Sequence, residues 1–230
     1  MRRKAGRFWR RILDSVEPAL KLKLMRIILY NRSTPGVLVW SALQQWSLYC
    51  WDSGAHHNAP PAAVKHHVIR AYADRFKTHV LVETGTFLGD SVFALRNDFD
   101  RIISIELDPR LAAAATSRFA DNKHIRVIHG DSGHAVRAVL GTLQQPALFW
   151  LDAHWSGGVT ARAQSETPLV QELELIAQHS VVDHVVLIDD AQLLGNGTDY
   201  PSRDAVRGLV ARHRPQRAYE EVDGIARLHS

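Results

Sequence analysis

The sequence is poor in cysteine: Cys50 is the single one among 230 residues. An intrachain disulfide is therefore excluded, and a thiolate-based zinc site lacks its ligands. Cys50 is expected as a buried apolar thiol. Long apolar runs are missing as well. The chain starts positively charged, but Arg10-Arg11 interrupts it directly after Phe8-Trp9. No apolar segment of roughly 7–15 residues, as in a secretory signal, develops there. No stretch is long enough to span a bilayer. The expectation is a cytoplasmic protein. Internal repeats and low-complexity segments are absent too. With 46% hydrophobic and 23% charged residues, the composition is ordinary globular usage. The length suits one sizeable core and not two ordinary catalytic domains.

Negative charge is scarce at one end only. Residues 1–32 carry ten Lys/Arg against Asp14 and Glu17, net +8, whereas the remainder holds 18 basic and 22 acidic residues, net −4. The overall +4 thus joins a basic head to a mildly acidic body. Local charge of this kind is weak support for nucleic-acid binding. In the head, Phe8, Trp9, Ile12, Leu13 and Val16 recur at helical spacing, Pro18 interrupts, and a second apolar run covers residues 20–30. Such an arm suits a peripheral membrane contact or a partner, but a basic amphipathic pattern alone is a weak membrane signal, and a helix packed on the body with its basic face in water is the favoured reading. Residues 1–60 are read as this arm plus a connector, with the Trp-rich stretch 37–51 as a lid-like segment. Residues 61–230 form the body. Assembly into an oligomer stays open.

The body alternates regularly. Helices are expected over 61–77, 90–96, 109–120, 133–140, 167–179 and 202–213. Apolar strands are expected over 79–83, 101–106, 125–128, 147–152 and 185–189, with a closing hairpin of 217–222 and 225–229 turning at Asp223-Gly224. Short apolar strands alternating with helices imply an α/β fold: a Rossmann-like doubly wound sheet of five parallel strands, plus a C-terminal antiparallel hairpin.

In such sheets ligands bind beyond the carboxyl ends of the strands. Each of the five strands delivers a carboxylate there: Glu83, Glu106, Asp131, Asp152 and the pair Asp189-Asp190. The first loop, Glu83-Thr84-Gly85-Thr86-Phe87-Leu88-Gly89-Asp90-Ser91, allows a tight turn and close approach of a ligand at its glycines. It lacks the G-x-G-x-x-G of dinucleotide folds, because Phe87 and Asp90 stand where the second and third glycines belong. An acidic residue at the pyrophosphate position disfavours an NAD enzyme. Glu83 and Asp90 suit a cationic ligand, and Glu106 lies where a carboxylate can accept ribose hydroxyls. A nucleoside with a positive centre and no phosphate fits: S-adenosylmethionine.

In these pieces, residues 61–229 resemble class I S-adenosylmethionine-dependent methyltransferases, and most closely their metal-dependent catechol-type O-methyltransferases. The resemblance rests on Glu83-Thr84-Gly85, Gly89-Asp90-Ser91, Ile105-Glu106, Gly130-Asp131-Ser132, Leu151-Asp152 and Ile188-Asp189-Asp190. It implies that Glu83, Gly85 and Ser91 line the methionine side of the cofactor, with Thr86 and Gly89 also among the cofactor-binding residues. Glu106 then holds the ribose, and Asp131 and Ser132 lie near the adenine. It also implies a Mg²⁺ site at Asp152, Asp189 and Asp190, oxygen ligands of the type that cation prefers. Asp190 replaces the family's asparagine. The family's lysine base after Asp-His-Trp is missing from Asp152-Ala153-His154-Trp155-Ser156, which leaves His154, beside Asp152, as candidate base or extra metal ligand. The expected activity is metal-assisted O-methylation of a small hydroxylated acceptor: a sugar, diol or natural product. A nucleic-acid methyltransferase is the alternative. The Asn/Asp-Pro-Pro-aromatic motif of amino-methylating members is absent after the fourth strand, which lowers that reading. A non-catalytic S-adenosylmethionine-binding module is the third reading.

Overall fold

A seven-stranded mixed sheet organises the chain, seen in a computed structural model that describes residues 48, 51, 60–152, 168–196 and 200–230. Two units are separable, Met1–Ala55 and His56–Ser230, and the sheet with its helices belongs to the second. The expected arm and lid-like segment lie almost wholly outside the described residues. In chain order the elements are α1 (Ala62–Phe76), β1 (Val80–Thr84), α2 (Asp90–Leu95), β2 (Arg101–Glu106), α3 (Pro109–Arg118), β3 (Ile125–His129) and α4 (Ser132–Leu140). There follow β4 (Leu148–Leu151), α5 (Leu169–Gln178), β5 (Val185–Ile188), a single 3₁₀ turn (Ala191–Leu193), α6 (Arg203–His213), β6 (Ala218–Val222) and β7 (Ile225–His229). Among the described residues no helix is long and apolar enough to cross a membrane.

The strand order is β3-β2-β1-β4-β5-β7-β6. β1 to β5 pair in parallel, and β7 joins β5 antiparallel and carries β6 at the edge. The expected five parallel strands and terminal hairpin are therefore all present. β1, β4 and β5 are buried along their whole length, as strands covered on both faces must be. One face, including Val82, Ile103, Phe149, Leu151 and Ile188, forms a core with α4, α5 and α6. α1 packs against β4 and β5 and contributes nothing to that core. It therefore covers the opposite face, where alternation places Leu81, Leu148, Trp150 and Leu187.

Local chemistry sets the helix starts. Asp108 caps α3 by accepting from the Arg110 and Leu111 amides, with Pro109 in the first turn where its missing N–H costs nothing. Asp131 caps α4 through the Gly133 amide, and Ser202 caps α6 through the Ala205 amide. The chain order reverses between β1 and β4, so the crevice of a doubly wound sheet opens at their carboxyl ends.

Candidate functional site

The loop from β1 to α2 is the best-braced part of that edge. Gly85 and Gly89 take φ of 93° and 75°, a region that favours glycine. The Gly85 and Thr86 amides donate to the Ile105 carbonyl at 2.9 and 3.2 Å, so the loop continues the β1–β2 pairing before it turns. Thr86 Oγ1 lies 2.5 Å from Ser104 Oγ. Arg118, stacked on Phe93 and Phe119, donates to the Leu88 carbonyl and to Asp90 Oδ1. Asp90, which the sequence reads as suited to a cationic ligand, pairs here with the Arg118 guanidinium. A Cβ on Gly89 would come within 2.9 Å of the Phe119 ring. Gly89→Ala combines that clash with a strained backbone. It is expected to lower the unfolding free energy by about 2 kcal/mol, readable in a urea titration.

Two glutamates flank this loop. Glu83 is fully buried and receives hydrogen bonds from Ser104 and Ser91. Burial pushes its carboxyl up to about 7, although both hydroxyls pull it down. A cation arriving at Glu83 would replace the lost solvation and favour the carboxylate. Glu106 closes β2. Its two oxygens accept the Phe87 amide at 2.7 Å and the Asp108 amide at 2.8 Å. Phe87 reaches this bond with φ of 48°, and its ring is exposed. The two amides fix the orientation of the Glu106 carboxylate. Each oxygen retains acceptor capacity for a ligand hydroxyl.

Asp131 and Ser132 serve the fold first. Asp131 Oδ1 accepts the Gly133 amide at 2.9 Å, while Oδ2 lies 3.7 Å from His134 Nδ1. Ser132 and Thr84 both hydrogen-bond Glu172 of α5. Thr84 Oγ1 also accepts the Asp152 amide at 3.3 Å, so a polar chain runs from Glu172 through Thr84 to the end of β4. Glu172 is fully buried, its Oε1 has no partner, and burial raises its carboxyl to about 7. No sequence pattern singled Glu172 out. The one available hint was an acidic residue at a position facing the core in an amphipathic helix, and such positions are seldom charged.

Asp152 follows β4, and Asp189 follows β5; the Asp189 amide donates to Leu151 O at 3.0 Å, which brings the two strand ends side by side. Asp190 has φ of 49°, tolerable for Asp, and accepts Gln192 Nε2 at 3.0 Å. The Asp190 amide donates to Asp189 Oδ1 at 2.8 Å. The remaining oxygen, Asp189 Oδ2, is ion-paired to Lys65 from the first turn of α1. Burial works to lower the Lys65 pKa. The charge and hydrogen bond of Asp189, with the charges of Asp152 and Asp190, outweigh it and hold the ammonium above its ordinary value. Burial likewise pushes the Asp189 carboxyl up, and Lys65 pulls it back.

The ends of β4 and β5 thus place Asp152 beside Asp189, with Asp190 following, and an ammonium engages Asp189. Among the described residues no group of three or more His, Cys, Asp or Glu is arranged to hold a metal ion. Carboxylates suit Mg²⁺ by type, yet a cation already engages the most buried of them. This arrangement does not fit the expected Mg²⁺ site. Lys65 could not be found from the motifs, because it lies in a different helix, 124 residues before Asp189 in sequence. His154 and the loop after it lie outside the described residues.

No family model matches the chain, and no curated protein matches it. Solved structures do. An O-methyltransferase from Bacillus cereus in complex with SAH is 15% identical, over 82% of this chain and 91% of that one, with a TM-score of 0.54. The SAH-bound methyltransferase from Podospora anserina is 14% identical, over 93% of this chain and 96% of that one, with a TM-score of 0.52. Identity this low speaks for the fold alone, and by that fold the chain is similar to the class I S-adenosylmethionine-dependent methyltransferases.

Proposed function

We propose that the protein is an S-adenosylmethionine-dependent methyltransferase acting on an oxygen of a small hydroxylated molecule: a sugar, diol or natural product. The observation that carries this reading is the pair of glutamates around the glycine turn. Glu106 holds a fixed carboxylate for two hydroxyls, and Glu83 holds a buried carboxyl that a cation would ionise. Phosphate has no comparable place, since α2 is six residues long and opens on Asp90. The residues therefore fit S-adenosylmethionine. Glu83, Gly85, Thr86, Gly89 and Ser91 would hold its amino-acid part, Glu106 its ribose, and Asp131 and Ser132 its adenine side.

When bound, that cofactor supplies a methyl group on a sulfonium, so the acceptor oxygen gains the methyl, sulfur keeps the S–C electron pair, and the hydroxyl proton is released. Asp152 stands at the next strand end, with its amide tied to Thr84, and is proposed with His154 to take that proton. The chain's main contribution is positioning, which can be worth roughly 7–11 kcal/mol. Calorimetry tests the reading. S-adenosylmethionine is expected to bind one per chain. Glu106→Gln, which replaces an ionic acceptor, is expected to weaken binding by about tenfold or more. Preference for NAD, or no binding of S-adenosylmethionine, overturns the proposal. An acceptor panel read by S-adenosylhomocysteine release then identifies the acceptor.

A further inference from the structure

We propose that the Lys65 ammonium takes the place of a divalent cation at the carboxyl ends of β4 and β5, so that this site works without metal and holds the acceptor through a single oxygen. The inference rests on the methyltransferase reading for its functional half and on the ion pair alone for its structural half. Three aspartates lie at this edge of the sheet, and the charges of all three act on Lys65. Asp189 is buried at the end of β5, and Asp152 and Asp190 flank it. That much negative charge in a protein edge needs a counter-ion. The fold provides one from its own chain. α1 lies on β4 and β5, and its first turn carries Lys65 to Asp189 Oδ2.

The side chain keeps 22% of its surface exposed, so the ammonium can still meet a solute. An ammonium has three donors and no acceptor. One donor is committed to Asp189. Mg²⁺ would take oxygens at octahedral positions and could chelate two neighbouring acceptor oxygens. An ammonium offers no such fixed polyhedron. It suits an acceptor presented by one hydroxyl, held against the cation while the carboxylates stay neutralised. Lys65 is in this sense a positioning residue, and it engages the Asp189 oxygen that a metal would need.

The test is Mn²⁺ binding followed by electron paramagnetic resonance, with the full chain free of cofactor near pH 7.5. The wild-type chain is expected to leave Mn²⁺ unbound at micromolar concentrations. Lys65→Gln removes the ammonium from Asp189 Oδ2 and leaves the charge of this edge uncompensated by Lys65. It is expected to bind one Mn²⁺ per chain at least tenfold more tightly than wild type, and Lys65→Arg to behave as wild type. A wild-type chain that takes up one Mn²⁺ at micromolar concentration overturns the proposal, whichever variants fold. So does a folded Lys65→Gln chain that binds no better than wild type. Calorimetry with S-adenosylmethionine in EDTA is read separately. Absence of binding there defeats the methyltransferase reading and leaves the Mn²⁺ result standing.

Discussion

Replacing Lys65 by glutamine is expected to lower the unfolding free energy by about 3 kcal/mol at pH 7. The variant leaves Asp189, which is 2% exposed, without its cation. The loss does not measure the worth of the pair. It measures the cost of an unpaired buried charge, which the native pair avoids while gaining little over apolar packing. The double variant Lys65→Gln/Asp189→Asn is therefore expected to recover most of the loss. Urea titrations of the wild type, both single variants and the double variant form a thermodynamic cycle. Additive losses would show that Lys65 and Asp189 do not interact, and the electrostatic account of this edge would fail with them.

Glu172→Gln is expected to gain about 3 kcal/mol of stability relative to wild type between pH 4.5 and pH 8. An unfolded glutamate ionises at about its ordinary value of 4.5, whereas burial holds folded Glu172 at about 7. Between those values the unfolded chain releases a proton that the folded chain keeps. The wild-type contribution therefore falls as pH rises from about 4.5 to 7 and then levels off. Glutamine keeps the shape and has no proton to lose. Glu83 adds a second term of the same sign, again through burial.

Two histidines act in the opposite direction. Burial, aided by Arg70 and Lys65, lowers His66 to about 4. Burial, aided by His179 and Arg217, lowers His184 to about 3. Their neutral forms contribute stability above the ordinary value of 6.5 that is lost as pH falls through the folded values. The wild-type curve mixes both trends, so the difference between variant and wild type is the quantity to follow. Thermal denaturation at several pH values supplies it. A difference that stays flat across this range would mean that Glu172 ionises normally in the folded protein. Glu83→Gln should show the same stability trend, and under the proposed function it should also weaken S-adenosylmethionine.

The sequence determined the elements, because local patterns carry them. Apolar runs bounded by turn residues marked β1 to β5, and the structure places them within one or two residues of expectation. The helix expected from Pro109 starts there in the structure, and Asp223-Gly224 makes the expected hairpin turn. Strand ends also located Glu83 and Glu106 on one edge, since the carboxyl ends of parallel strands share one side of the sheet by topology alone. Spacing could also gather Asp152 and Asp189-Asp190 at that side.

Tertiary structure alone decided what each carboxylate does there. Asp90 and Glu83 read alike in the first loop, but packing gave one Arg118 and the other two hydroxyls. Asp131 read as a ligand contact, and its Oδ1 caps α4. Lys65 and Glu172 carried no motif, because their partners lie on other elements. A charge changes meaning with what stands within a few ångströms of it. In this protein that neighbour is set by how α1 and α5 pack on the sheet, and no local pattern encodes that placement.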